Sequence, residues 1–596
     1  MPWLSLYQVK IVNNTQQRTT PARLTEPAAT KLPRFILIGV GLVYILAGLF
    51  FRDPWKSDDV IGIATMFSLL NESGTSVWLL PHIGATPYIH EGPLNSWIGA
   101  LSITFFGPVF SPWLAPLDAA ITAARLPNLV WFLMLTLCFW HGLFRLAQTP
   151  AAQPLALPFG GQPSPMAYGR MIADAGLLLL VATVGIIWRM HETSMVPLGL
   201  ALAALLFYGL SVLPQRPKIA ALTMGLALGG SFLNQSFTTF APLFLATLAV
   251  FIILPYYRQR LWVLGLGIAL CLLISAAWLI PAWKNDPYWL RAWLFWQQKQ
   301  FTLPTTANLH ATGRDLLWFL WPTWPLALIA LWQWRSWLRA PHIAIAALLG
   351  AGGLLLIIFS RNAFEPEYML LALPSAALAA FALPTLRRGA INALDWFAVM
   401  CYSLTAATVW LGWVAQQTGW PPKIAKSIQR QTEGYQLEIF WSALLIALLG
   451  TLFWMALVRW RLTQHPPALW RGTVLSAAGL ITTWLLLVTL WMPTLNYARS
   501  YRTVSAELSL ALQRYQGSED CVYAQLNPGQ RASFYVFNQL EFSPKRQCSL
   551  WLQQTSPKLS LEEQNANLPN NAELLWQGRR GGDRNEMFRL LRIRAR

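Results

Sequence analysis

Asp58 and Asp59 stand side by side a few residues after an apolar run over 35–51. A carboxylate at a membrane surface can take a proton from an attacking hydroxyl or organise a polar acceptor. A solvated acidic pair at the start of a loop is the bland alternative. A further carboxylate, Glu192, lies in the short stretch Arg189-Met190-His191-Glu192-Thr193 between two apolar runs. Arg189 and His191 are unusual company for a mere connector. Arg125, at the head of an apolar run, and Arg361, ahead of EPEYMLLALP, add cations facing the same boundary. Each can hold a phosphate or reach along its stem to lipid headgroups, and so can Arg52 and Lys56. His82, His90 and Glu91 have no trustworthy metal-ligand spacing, and no dedicated metal cluster is evident. The sequence therefore names no cofactor and leaves a divalent metal open. Cations for a phosphate and carboxylates for an acceptor suit a lipid-phosphate-linked substrate.

The elements that must position these residues are membrane helices. The chain has 596 residues, 55% of them hydrophobic and 12% charged, and its mean hydropathy is +0.41. Soluble domains carry about 25% charged residues, so disordered, soluble and small disulfide-scaffold classes are excluded. The net charge of +19 invites a nucleic-acid partner, but the basic residues fall in short clusters between apolar runs. Trp is abundant, with 32 residues, and Pro with 40; interfacial Trp and tolerated Pro fit a polytopic membrane protein.

At roughly 20 residues per span, about 13 candidates emerge. They lie near 35–51, 126–144, 175–188, 196–213, 219–233, 237–256, 261–282, 316–334, 343–360, 368–386, 391–414, 439–458 and 473–492. Alternate connections hold the positive charge: Arg145 and Arg170, Arg216 and Lys218, Arg258 and Arg260, Arg335 and Arg339, Arg387 and Arg388, then Arg459, Arg461 and Arg471. All fall on the side of the N-terminal tail if 95–110 lies along the interface, which satisfies the positive-inside rule with a cytoplasmic N-terminus. The domain organisation expected is a tail over 1–34, a transmembrane domain over 35–493 carrying the outer loop 52–125, and an outer α/β domain over 494–596. Within the spans ionisable groups are scarce, which counts against ion-coupled transport.

In the last hundred or so residues the pattern becomes that of a soluble domain. A helix is expected over 505–514 and strands at CVYAQL, ASFYVF and SLWLQQ, with a terminal hairpin around Arg580-Gly581-Gly582-Asp583. Cys521 and Cys548 fall in this domain, where an oxidising compartment favours a disulfide over two buried thiols.

The first outer loop permits a comparison. An acidic pair after the first span, then Trp78, Pro81, Gly84, Pro87-Tyr88, Pro93-Leu94 and Trp97, resembles the aminoarabinose lipid A transferase family. This is the bacterial arm of the GT-C glycosyltransferases, related to protein O-mannosyltransferases. Ala124-Arg125-Leu126, GLALGGSFLNQ and EYMLLALP continue the resemblance, as does the order of many spans followed by an outer domain. The resemblance implies a GT-C fold and an inverting transferase in the bacterial inner membrane, with the C-terminal domain in the periplasm. The donor implied is a polyprenyl-phosphate sugar; the acceptor is an envelope lipid, glycan or protein, with no nucleic acid involved. Asp58 maps to the catalytic acid, Asp59 stands where Glu is usual, and Glu192 maps to the second carboxylate, with Asp174 as its competitor. Substrate contacts are expected from Lys56, Tyr88, His90, Glu91, Arg125, Arg189, His191, Arg361 and Glu367. The chain departs from the family at Glu91-Gly92 in place of Lys-Pro, at Asn234-Gln235-Ser236 in place of Thr-Lys-Gly, and at Val60-Ile61-Gly62 where an Arg is usual. A flippase of polyprenyl-linked glycans and a non-catalytic relative are the alternatives.

Overall fold

The computed structural model describes residues 20–29, 32–55, 58–72, 74–156, 160–361, 363–464, 467–517, 521–545, 547–565 and 572–593. Each expected span falls on helix. Among the described residues, nine helices are long and apolar enough to cross a membrane, from Pro116–Ala147 to Leu469–Leu490. Arg34–Leu46, Leu94–Phe110 and Phe237–Ile253 are apolar but shorter. The run over 316–334 is not one straight helix: Asn308–Phe319 and Thr323–Gln333 meet at 96°. Trp321-Pro322 sits in the break, where proline removes a donor and pushes its predecessor out of helical geometry. The run over 175–188 is divided too, into Pro165–Ala182 and Val184–Arg189. Proline opens many of the helices, among them Pro127–Ala147, Pro165–Ala182, Pro217–Gln235 and Pro341–Phe359; there its missing N–H costs no hydrogen bond.

Two helices of the segment 52–125 matter most. Asp58–Asn71 is buried along nearly its whole length, which its mix of Val, Ile, Ala, Gly and Met permits. Gly62 is what lets it approach the 189–194 turn: a Cβ there would lie 2.2 Å from the Thr193 carbonyl oxygen. A backbone atom cannot yield cheaply, so Gly62→Ala is expected to cost about 1–3 kcal/mol, read as a lowered thermal midpoint in detergent. Leu94–Phe110 lies against the same helix, with Ser96 Oγ donating to Thr65 Oγ1 at 2.8 Å. Its opposite side leaves Leu101, Phe105, Phe106 and Val109 exposed.

The C-terminal region is a four-stranded sheet in the order Val522–Ala524, Leu550–Thr555, Met587–Ile593, Ala572–Gly578. The first pair is parallel and the other two antiparallel, so the terminal hairpin forms as expected. Cys521 and Cys548 are joined. ASFYVF is not a strand but the middle of the helix Pro528–Asn538. Asn527 caps it, accepting from Gln530 N at 2.9 Å while Gln530 Oε1 accepts from Asn527 N at 3.0 Å, and this reciprocal cap overrides the β-forming side chains. One side of that helix joins the sheet's core through Phe534. The other carries Ala532, Tyr535 and Val536 onto Val60, Ile63 and Phe67. The sheet-bearing region thus packs directly on the helix that begins with Asp58.

Candidate functional site

Successive residues of a helix diverge by about 100°, and the first two of Asp58–Asn71 serve different partners. Asp59 turns inward and is fully buried. Its Oδ1 accepts from Thr193 N at 2.8 Å and Thr193 Oγ1 at 2.7 Å. Its Oδ2 accepts from Arg125 Nη2 at 3.1 Å and Arg52 Nη2 at 3.3 Å. Burial pushes this carboxyl up, but Arg125, Arg52 and the two Thr193 donors more than offset it and hold the group below the usual carboxylate range. Arg125 therefore does not reach for headgroups: its guanidinium is enclosed, donating also to the carbonyls of Leu49 and Arg52.

Asp58 faces Arg189. Arg189 Nη1 donates to Asp58 Oδ2 at 3.0 Å and to Glu192 Oε2 at 2.8 Å, and Arg189 Nε donates to Glu365 Oε2 at 2.8 Å. One guanidinium thus gathers three carboxylates from distant parts of the chain. Glu192 also lies 3.8 Å from Arg52 Nη2, which links the two groups into a cluster of four carboxylates and three arginines. Burial pushes Glu192 up to about 7 despite Arg189 and Arg52. Burial likewise raises Asp58, with Arg189 opposing and Glu365 and Asp59 adding to the rise. Among the described carboxylates of the cluster, exposure is confined to two: the Asp58 side chain is 19% exposed and that of Glu365 52%, against 0–1% for Asp59 and Glu192. A ligand reaches Asp58 and Glu365 first.

The turn that carries Arg189 and Glu192 is fixed by its backbone. Asn95 Nδ2 donates to Thr193 O at 2.9 Å and Asn128 Nδ2 to Glu192 O at 2.7 Å. His191 is enclosed, with its ring nitrogens beside the carbonyls of Ile187 and Tyr44; burial pulls it down to about 4. It staples the turn to the first helix and does not face the opening.

The remaining expected residues divide. Tyr88 Oη donates to Glu91 Oε1 at 3.1 Å, both buried, and burial with the Asp58 charge pushes Glu91 up to about 8. His90 stacks on Trp296 at 4.3 Å between centroids. Gly92, where the family has Pro, meets the end of Pro217–Gln235: its N–H donates to Asn234 O at 3.0 Å, and a Cβ would lie 2.0 Å from Leu233 O. Arg361 is exposed, its N–H donates to Gln300 O, and no contact joins it to the cluster among the described residues. Glu367 caps its own helix, accepting from Phe364 N at 3.1 Å. Glu365, two residues earlier and so about 200° around the helix, is the one that reaches Arg189. Asp174 accepts from Trp140 Nε1 at 2.7 Å and is not in the cluster. Lys56 lies outside the described residues. Among the described residues no group of three or more His, Cys, Asp or Glu side chains is placed to hold a metal, since Arg189 occupies the point where the carboxylates meet.

Two solved structures of ArnT from Cupriavidus metallidurans resemble this arrangement nearly end to end. The one bound to undecaprenyl phosphate and the one in the apo state each give a TM-score of 0.59 at 13% and 14% identity, over 94% of this chain and 97% of that one. The chain has the GT-C fold. The sequence matches no family model and no curated protein. At such low identity the GT-C likeness establishes architecture, that of a multi-pass membrane protein, and assigns no role to any side chain. The roles rest on the cluster itself. Glu365, Asn95 and Asn128 were not among the residues singled out from sequence, and Arg52, read there as a phosphate or headgroup cation, is instead enclosed against Asp59. Glu365 had a signal, a second acidic residue beside Glu367; the asparagines had none.

Proposed function

We propose that this chain is an inverting membrane glycosyltransferase that moves a sugar from a polyprenyl-phosphate donor to a hydroxyl-bearing or phosphate-bearing acceptor on the outer face of the bacterial inner membrane. The observation that carries this reading is the partly exposed Asp58, held on Arg189 with a raised pKa at the exposed edge of a buried charge cluster, within a GT-C fold. The ArnT structure bound to undecaprenyl phosphate supports the class of donor. Asp58 takes the acceptor proton as the acceptor oxygen attacks the anomeric carbon from the face opposite the phosphate. The polyprenyl phosphate departs with the bonding electrons, and a cation at the opening neutralises the charge that develops on it; exposed Arg361 is the residue proposed for this. Glu365 and Glu192 hold Arg189, and Arg189 holds Asp58.

The test is to incubate the purified full chain with polyprenyl-phosphate sugars and follow free polyprenyl phosphate together with labelled acceptor. Release coupled to acceptor labelling is expected. Movement of intact donor between leaflets without release would point to a flippase, and donor binding without either would point to a non-catalytic relative.

The pH profile follows from the same charges. A proton acceptor must be ionised, so activity is lost as pH falls through its pKa. With Asp58 raised above an ordinary aspartate at about 3.9, the acid limb is expected above that value. Glu365→Gln removes a negative charge that raises Asp58 and frees Arg189 for it, which stabilises the ionised form. The limb is therefore expected to move to lower pH, as read from kcat/KM against pH.

A further inference from the structure

The first helix ends at Leu46, and the chain then takes an irregular path to the cluster. Gly48 has φ +85° and Phe51 φ +59°. A phenylalanine in the left-handed region is strained and persists only where its surroundings over-determine it. Its own ring does not supply that support, being 83% exposed. The turn is held from two sides, by Arg125 on the carbonyls of Leu49 and Arg52 and by Asn496, 445 residues further along. Asn496 Nδ2 donates to Phe51 O at 3.1 Å, while its Oδ1 accepts from Asp53 N at 3.1 Å and from Trp55 Nε1 at 3.3 Å. One amide thus uses both its ends to bracket Arg52.

Arg52 is the residue this bracket aims. Its guanidinium is fully enclosed, 3.3 Å from Asp59 Oδ2 and 3.8 Å from Glu192 Oε1, and it lies over the rings of Trp55 and Trp188 at 4.6 and 5.1 Å. Among the described residues its Nε and Nη1 have no hydrogen-bond partner, so only Nη2 is held by a hydrogen bond. Asn496 belongs to the helix Met492–Arg499, which leads from the last span into the sheet-bearing domain. The next helix adds a second tether, with Arg502 Nε and Nη2 donating to the Asp53 carboxylate at 3.1 and 2.6 Å.

From this juxtaposition we infer that Asn496 is a positioning residue: through the Phe51 turn it sets the place of Arg52 against Asp59 and Glu192, so the root of the C-terminal domain builds part of the site. The inference rests on the transferase reading for its kinetic consequence, but not for its structural one. Removing the bracket lets Arg52 drift and unbalances Glu192 and Asp59 without touching a bound donor.

The experiment is a double-mutant cycle on the full chain with Asn496→Ala, Arg52→Ala and the pair, read both in turnover of polyprenyl-phosphate sugar and in thermal midpoint. Asn496→Ala is expected to lower kcat roughly ten- to a hundredfold, the scale of a 1 Å misplacement, with KM little changed. In the Arg52→Ala background it is expected to add little in either readout. Full additivity in thermal midpoint, or multiplying losses in kcat, would overturn the inference. If the wild-type chain shows no turnover the transferase reading fails, and the thermal cycle still decides the role of Asn496. Should Asn496→Ala not fold, Asn496→Asp keeps both acceptor contacts and replaces the donation to Phe51 O by a repulsive contact between two acceptor oxygens. Its kcat and midpoint are expected to lie between those of wild type and Arg52→Ala; values at wild type for both would contradict the role given to the Phe51 turn.

Discussion

Asp58→Asn is expected to abolish most sugar transfer while leaving the fold standing. The amide is nearly isosteric and still accepts a hydrogen bond from Arg189, which keeps Glu192 and Glu365 as partners. What it loses is the capacity to take a proton. Positioned general bases contribute about 10²- to 10⁴-fold, so kcat is expected to fall by that factor. The thermal midpoint is expected to move little, because the amide oxygen still accepts from Arg189, whose two other carboxylate partners are unchanged. Turnover undiminished in this variant would remove Asp58 from the reaction, and a comparable drop in midpoint would reassign it to folding.

Asp59→Ala is expected to do the reverse, failing in stability before function can be read. Its removal leaves Arg52 and Arg125, both fully enclosed, without their shared counter-charge, and strips Thr193 of two hydrogen bonds. Breaking a buried pair from one side costs about 3–5 kcal/mol, a large part of the 5–15 kcal/mol typical of a folded protein. Loss of monodisperse protein in detergent or a strongly lowered midpoint is the expected result. The comparison is Asp395, which pairs with Arg461 and Arg471, whose side chains are 26% and 20% exposed. Those arginines can turn to water when the partner goes, so Asp395→Ala is expected to cost less. Equal losses would mean that the burial of Arg52 and Arg125 does not govern the effect.

The architecture could be read from the sequence because membrane spans announce themselves in one dimension. Runs of apolar residues separated by alternating basic connections specify helices, and the change of pattern after the last span specifies a soluble domain. The two misreadings had local causes. ASFYVF is rich in β-formers, but Asn527-Pro528-Gly529-Gln530 already spells a helix start. The run over 316–334 is apolar throughout, and Trp321-Pro322 was the sign of its break. The pairing of Asp58 with Glu192 was legible because both sit near ends of apolar runs that the alternating basic connections assign to one side. What was not legible is depth. Nothing local separates Arg125, sealed against Asp59, from Arg361, which is exposed, since each stands beside an apolar run. Glu365 and Glu367 were likewise indistinguishable in composition, and only the turn of the helix sends one to Arg189 and the other to its own N-terminus. Arg52 is the sharpest case, because its place depends on Asn496, whose distance along the chain no local pattern encodes.

The central claim is that the Arg189-centred cluster opens onto the donor. The most direct measurement is a structure of the full chain with bound undecaprenyl phosphate. The phosphate is expected at the open side of the cluster, beside Asp58 and Glu365 and within reach of Arg361. A phosphate bound away from these residues, with Asp58 still sealed on Arg189 and no space between it and the lipid, would contradict the account.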